Sequence, residues 1–123
     1  MIFAMGGSGG GEVEILFRDE RLRRRCNQEK ERRRAWGTER AKQIGKRLDD
    51  LHAAPDLEAM RHSAGRCEEL TGDRTGQLSL RIDANYRLLF EPANDPVPRR
   101  TDGGLDWSKV TAIRILGVED YHG

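Results

Sequence analysis

Aromatic residues make up only 6% of this 123-residue chain, and hydrophobic residues of all kinds only 36%. Such a supply supports one modest core, near the lower end of what folds unaided, and excludes a multidomain reading. Long apolar runs are missing too, so no membrane span is expected. The opening MIFAM is too short for a signal-peptide core and has no basic flank. Cysteine is limited to Cys26 and Cys67, which excludes a disulfide framework; both read as free, packed thiols of a reducing compartment, and the chain is expected in the cytoplasm. Histidine occurs three times, as His52, His62 and His122, too far apart in sequence for metal-ligand pairs. Neither a metal nor another cofactor is expected.

Charge, by contrast, is abundant, at 35% of residues, and its near-neutral sum hides a strong asymmetry. Residues 18–47 carry thirteen Arg or Lys against five Asp or Glu, whereas residues 48–73 carry two against seven. A basic face of that kind suits a phosphate-rich partner, although many arginine-rich helices are only solvated surfaces. The opening MIFAMGGSGGGE is flexible-linker chemistry, so residues 1–12 read as a leader or tag and residues 13–123 as a single domain.

Within that domain, VEILF (13–17) suits a strand, and residues 19–34 are helix-compatible throughout with Leu22 and Cys26 one turn apart. Gly37 breaks this helix. Thr38 is placed as the N-cap of a second, in which Ala41, Ile44, Leu48 and Leu51 recur at helical spacing before Pro55 stops it. A short turn over 56–61 turns Leu57 and Met60 inward. The period then changes to two, in segments 66–70, 78–82 and 86–91, separated by the turn sequences TGDRTG and DAN. Residues 92–109 read as a long loop, with Trp107, like Trp36, a packing residue at the core's edge, and 110–118 as the closing strand. The expected fold is α+β: an N-terminal strand and two helices packed on one face of a small, mainly antiparallel sheet, with the other face open.

Three signals then act together: GDR-x-G at 72–76, NYR followed by LLF at 85–90, and the terminal DYH at 120–122. With these the stretch from about 13 to 122 resembles the HigB-like toxins of the RelE/ParE superfamily in type II toxin–antitoxin systems. The resemblance implies a small sheet with an α-hairpin on one side. It further implies a ribosome-dependent endoribonuclease, an mRNA interferase that enters the ribosomal A site, cuts the mRNA being read and arrests growth. Such an enzyme works without a metal, by attack of a ribose 2′-OH on its own 3′-phosphate, and is neutralised by a small helix-turn-helix antitoxin.

That chemistry needs a base, a proton donor for the departing 5′-oxygen, and cations around the phosphorane. His122 is the natural proton-transfer group, since imidazole titrates near neutral pH. Asp120 would orient it or act as base, and Tyr121 would stack on a base or donate a proton. Arg87, in NYR, matches the family's strand arginine and is assigned to the phosphate, which a guanidinium fork suits; Arg81 and Arg114 could serve likewise. Arg74 reads as an ion pair with its neighbour Asp73, with RNA contact as a second role. Where active relatives carry a histidine and a lysine before GDR, this chain has Glu68 and Thr71. Glu68 could replace the histidine as general base; Thr71 cannot replace a cation, and His62 is the nearest histidine. The basic run with Arg23, Arg24, Arg25, Arg32, Arg33 and Arg34 suits contacts to the ribosome's 16S RNA through backbone charge. Two other readings share the scaffold: a non-catalytic, gyrase-binding toxin of the ParE type, which generally lacks the DYH tail, and an inactive homologue that acts only in a repressor complex with its antitoxin.

Overall fold

The computed structural model describes residues 12–121; most of the expected leader, and His122 with Gly123 at the other end, lie outside the described residues. Strand β1 (Glu14–Phe17) leads into helices α1 (Glu20–Asn27), α2 (Glu29–Trp36) and α3 (Thr38–Ala53). A 3-10 turn (Leu57–Met60) follows, then β2 (Glu68–Glu69), a second 3-10 turn (Gly72–Arg74), β3 (Leu78–Arg81) and β4 (Tyr86–Pro92). A third turn (Trp107–Lys109) precedes β5 (Ala112–Asp120). The sheet runs β1-β5-β4-β3-β2, antiparallel except where β1 lies parallel to β5. This is the α+β architecture expected, with the last strand inserted beside the first.

The first helical arm is not continuous. Asp19 caps α1, its carboxylate accepting from the Leu22 backbone N–H at 2.8 Å, a bond that holds the Asp19 carboxyl below its usual range. Gln28 is then extended, with φ −112° and ψ 120°, and divides the arm into α1 and α2. No glycine or proline announces this break; Arg32 supports it by donating Nη1 to the Cys26 carbonyl at 2.5 Å. The same guanidinium lies over Gly45 of α3, where a β-carbon would come within 3.1 Å of it. At Gly37 the chain reverses with φ 87°, a value suited to glycine, so α2 and α3 form the hairpin. Gly37, and not Thr38, is also the N-cap, so the cap has no side-chain hydrogen bond and Thr38 is the first residue of α3.

The apolar stripe of α3 (Ala41, Ile44, Leu48, Leu51) is buried, as its spacing requires. Ile44, Leu48 and Leu51 form one core with Ile15, Leu78, Leu80, Leu88, Phe90, Ile113 and Ile115 from four strands. Asp83 and Trp107, polar groups near this core, are partnered, while Arg32 Nε is buried without a hydrogen-bond partner. Asp83, in the β3–β4 turn, accepts from the backbone N–H groups of Asn85 and Tyr86 and from Arg40 of α3, whose guanidinium also stacks 3.8 Å over the Tyr86 ring. Burial pushes the Asp83 carboxyl up, but these three donors outweigh it and hold the pKa low. Trp107 is buried against the Leu57–Met60 turn, donates Nε1 to Glu69 at 2.8 Å and lies under Arg61 at 4.0 Å. Cys26 and Cys67 are free and buried, and burial raises both thiols to about 12. No helix among the described residues is long and apolar enough to cross a membrane.

One irregularity decides what the far face of the sheet displays. The register between β4 and β5 shifts between Leu89 and Phe90: Phe90 faces Ile115, but Leu89 faces Gly117, leaving Leu116 as an extra residue. Side chains alternate along a strand, so an inserted residue exchanges the faces of everything beyond it. Counting by twos from Ile113 and Ile115 turns Glu119 inward and Asp120 outward; the bulge gives the opposite result.

Candidate functional site

The sheet face turned away from the helices carries two rows of side chains near the C-terminal end of β5. In one row Arg81 stands directly opposite Arg87, and Arg87 directly opposite Glu119. In the next, Glu68, Ser79, Leu89 and Gly117 face one another across β2, β3, β4 and β5. Glu68 is thus a diagonal neighbour of Arg81, at a Cα separation of about 7–8 Å. Ser79 and Leu89 are buried although neither belongs to the helix-side core, and Gly117 presents no side chain at all.

Like charges directly opposite each other in a sheet are unfavourable. Among the described residues neither Arg81 nor Arg87 forms an ion pair with a carboxylate, and their Nε atoms, together with Ser79 Oγ, are buried without a hydrogen-bond partner. A pair of confined guanidinium groups and an orphaned hydroxyl form a donor-rich floor, suited to an anion with several oxygen atoms.

Glu119, the carboxylate in register with Arg87, is engaged elsewhere. Arg74, in the Gly72–Arg74 turn, reaches across β4 and donates Nη2 to Glu119 Oε1 at 2.5 Å; this bond raises the Arg74 pKa. The local pair with Asp73 expected from the sequence is therefore replaced by a long-range one, because the turn between β2 and β3 leans over the sheet. Thr71, which opens that turn, is exposed and brings no cation.

Tyr121 completes the group. Its backbone N–H donates to the Asn85 carbonyl at 2.5 Å, extending the β4–β5 ladder past its last paired strand residue. Its ring lies 5.3 Å from the Arg87 guanidinium and 5.9 Å from that of Arg74, and among the described residues it is the large apolar side chain that stands out at the surface, 39% exposed. An accessible ring between two cations is a stacking platform for a flat partner.

The other expected site residues fall elsewhere. Asp120 pairs with Tyr86 and so lies on the helix side of β5, away from Arg87 and Glu68. His122 lies outside the described residues. Arg114 shares the open face but is paired with Glu91 at 3.0 Å, four residues along β4 from Arg87, or about 13 Å at the usual rise per residue. His62 is exposed in the loop after the first 3-10 turn. On the helices, Arg23 bonds Glu20, Arg33 pairs with Glu29 and Arg34 with Glu31, each one turn away. Arg32 is committed to the Cys26 carbonyl, while Arg24 is exposed and Arg25 half-buried. Glu119 is the member of the group that sequence reasoning passed over. The signal that would have found it is Gly117, a residue without a side chain where a strand bulges.

Comparison with known proteins bears on the family and the fold. A family profile described as the RelE-like toxin of the type II toxin–antitoxin system HigB matches residues 15–100. A YoeB–YefM complex from Staphylococcus aureus aligns at a TM-score of 0.53 and 19% identity, over 90% of this chain and 98% of that one. The YoeB/ParE toxin from Agrobacterium tumefaciens aligns at 0.53 and 13%, over 89% and 100%. A YoeB dimer from Staphylococcus aureus aligns at 0.52 and 20%, over 91% and 99%. At these identities the solved structures speak for the fold. No curated protein sequence matches the chain. With a profile covering most of its length and a sheet-and-hairpin fold shared with YoeB toxins, the chain belongs to the HigB-like family of small RelE/ParE-superfamily toxins of type II toxin–antitoxin systems.

Proposed function

We propose that this toxin is a ribosome-dependent endoribonuclease that cuts mRNA on the open face of its sheet without a metal. The observation that carries the proposal is the Arg81–Arg87 pair, two arginines set opposite each other with no carboxylate between them. Such an arrangement costs stability in the empty protein and is relieved when a phosphate arrives.

In the reaction, a 2′-OH attacks the adjacent 3′-phosphate and the bond to the 5′-oxygen breaks, giving a cyclic phosphate and a free 5′-hydroxyl. Glu68, beside the arginine row, accepts the 2′-OH proton. Arg81 and Arg87 hold the phosphoryl oxygens as negative charge builds on the phosphorane. Tyr121 stacks on a neighbouring base and holds the nucleotide in line, with the ribosome orienting the rest of the mRNA. His122, one residue past the pinned Tyr121, supplies the proton to the departing oxygen. Asp120, turned to the Tyr86 side, is left out of this relay, and Arg114, paired with Glu91, out of the phosphate site.

The helical arginines would meet ribosomal RNA, with Arg24, Arg33 and Arg34 foremost because they are exposed. The partner that silences the toxin would be a small helix-turn-helix antitoxin; the YoeB toxin of Staphylococcus aureus has been solved with YefM. Primer extension on a defined mRNA, with and without programmed ribosomes, tests the proposal. Cuts at A-site codons only when ribosomes are present are expected. Growth arrest without cuts would replace it with a binding toxin aimed at gyrase or a similar target, and neither arrest nor cuts with retained antitoxin binding would point to a repressor component.

A further inference from the structure

The bond between Arg74 and Glu119 is unusual in its setting. Glu119 faces Arg87 in register yet bonds an arginine from a turn on the other side of β4. Arg74 in turn lies within 5.9 Å of the Tyr121 ring that also meets Arg87. The three cations Arg74, Arg81 and Arg87 therefore border one patch of the open face, with Glu119 bonded to Arg74 and Glu68 diagonal to Arg81. Both partners of the bridge are open to water, with side chains 40% and 44% exposed, and an ion pair in that environment is weak. A phosphodiester, offering two charged oxygens to a planar fork, is the stronger partner for Arg74.

Accepting the open face as the RNA site, we propose that Arg74 is a third phosphate ligand held in reserve by Glu119, and that Glu119 is a gate whose carboxylate the RNA phosphate displaces. The gate has a physical purpose. With Glu119 in place the empty site is less cationic, so stray anions are held weakly. An mRNA phosphate positioned by the ribosome arrives at high effective concentration and wins the exchange. Arg74 then supplies a cation from the same turn in which Thr71 offers none, three residues further along the chain. Glu119 touches no reacting atom and acts only through Arg74 and Arg87.

The test uses the opposite signs that the exchange requires. If the bridge only braced the turn, Glu119→Gln and Arg74→Gln would break it equally and shift activity the same way. If Arg74 is the ligand and Glu119 its competitor, Glu119→Gln raises kcat/KM on programmed ribosomes about two- to fivefold. Arg74→Gln lowers it about tenfold or more, and Arg74→Lys restores most of the loss. Fluorescence anisotropy with a 2′-O-methylated single-stranded RNA, which cannot be cut, should show the same opposed pattern. Shifts in the same direction, or none, would overturn the gate while leaving the nuclease reading intact. Opposed shifts in RNA binding without any cleavage by the unaltered protein would keep the gate and remove the nuclease. Failure of the unaltered protein to bind or cut RNA would remove both.

Discussion

The two faces of the sheet differ in what they bury. On the helix side, the buried side chains are apolar, and the nearby polar groups of Asp83 and Trp107 are fully used by Asn85, Tyr86, Arg40 and Glu69. On the open side, Ser79 Oγ and the Nε atoms of Arg81 and Arg87 are buried and unpartnered, and two guanidinium groups face each other. A protein only a few kcal/mol more stable than its unfolded chain does not keep such a cluster for its fold. The same contrast separates two sets of arginines: Arg23, Arg33 and Arg34 on the helices each have a glutamate one turn away, whereas Arg81 and Arg87 have none. Arginines paired with a neighbouring glutamate solubilise a surface; two set opposite each other with no carboxylate between them suit an anion.

The largest effect should come from the helix side. Phe90→Ala removes the largest of the fully buried side chains and should cost about 3–5 kcal/mol, because the cavity sits between the sheet and α3 and neither can collapse into it. Urea denaturation measures this loss. A cost below about 1 kcal/mol would mean that the core is looser than its burial indicates and that the two faces differ less in packing than in chemistry.

Next is Arg87→Ala. Loss of a preorganised cation at a developing oxyanion typically slows a reaction by about 10²–10³-fold, and the same drop is expected in cleavage on programmed ribosomes, with growth arrest abolished and antitoxin binding kept. Stability should hold or improve, since a like-charge pairing disappears. Retained toxicity would dissolve the functional half of the comparison. Arg81→Leu sharpens it further: relieving the repulsion should stabilise the fold by about 0.2–1 kcal/mol while cleavage falls, a trade of stability for function read from a melting curve and a cleavage rate on one variant.

Much of the helix side was legible in the sequence, because it obeys simple periods. Ala41, Ile44, Leu48 and Leu51 announced α3, and Leu78, Leu80 and Ile82 the inward face of β3 and its turn. The break at Gln28 was not legible, since no residue there disfavours a helix; it is held by Arg32 reaching the Cys26 carbonyl, a tertiary contact with no local signature. The open side was legible as a set of residue types but not as a constellation. Arg87, Arg81, Tyr121 and Glu68 could be named, but which of them share a face, the turn of Asp120 toward Tyr86 and the presence of Glu119 opposite Arg87 follow from the extra residue Leu116, which no motif announces. A one-residue insertion changes no composition and no motif, yet it decides which of two adjacent carboxylates meets the arginines.

The smallest effect is expected where the arginines are satisfied. Replacing Arg33 and Arg34 together with Gln removes two exposed pairs, with Glu29 and Glu31, and should change stability by no more than about 0.5 kcal/mol for each residue. If these side chains meet ribosomal RNA, the double variant should bind ribosomes more weakly and with a shallower dependence on salt, the logarithmic slope falling by about 0.7–0.9 for each phosphate no longer neutralised. The rate of cleavage once bound should not change, because neither residue lies near the open face. A loss confined to binding would assign the helical arginines to docking and leave catalysis to the sheet. A loss of the bound rate as well would show that docking sets the geometry at Arg87, and that the two arginine populations act as one device.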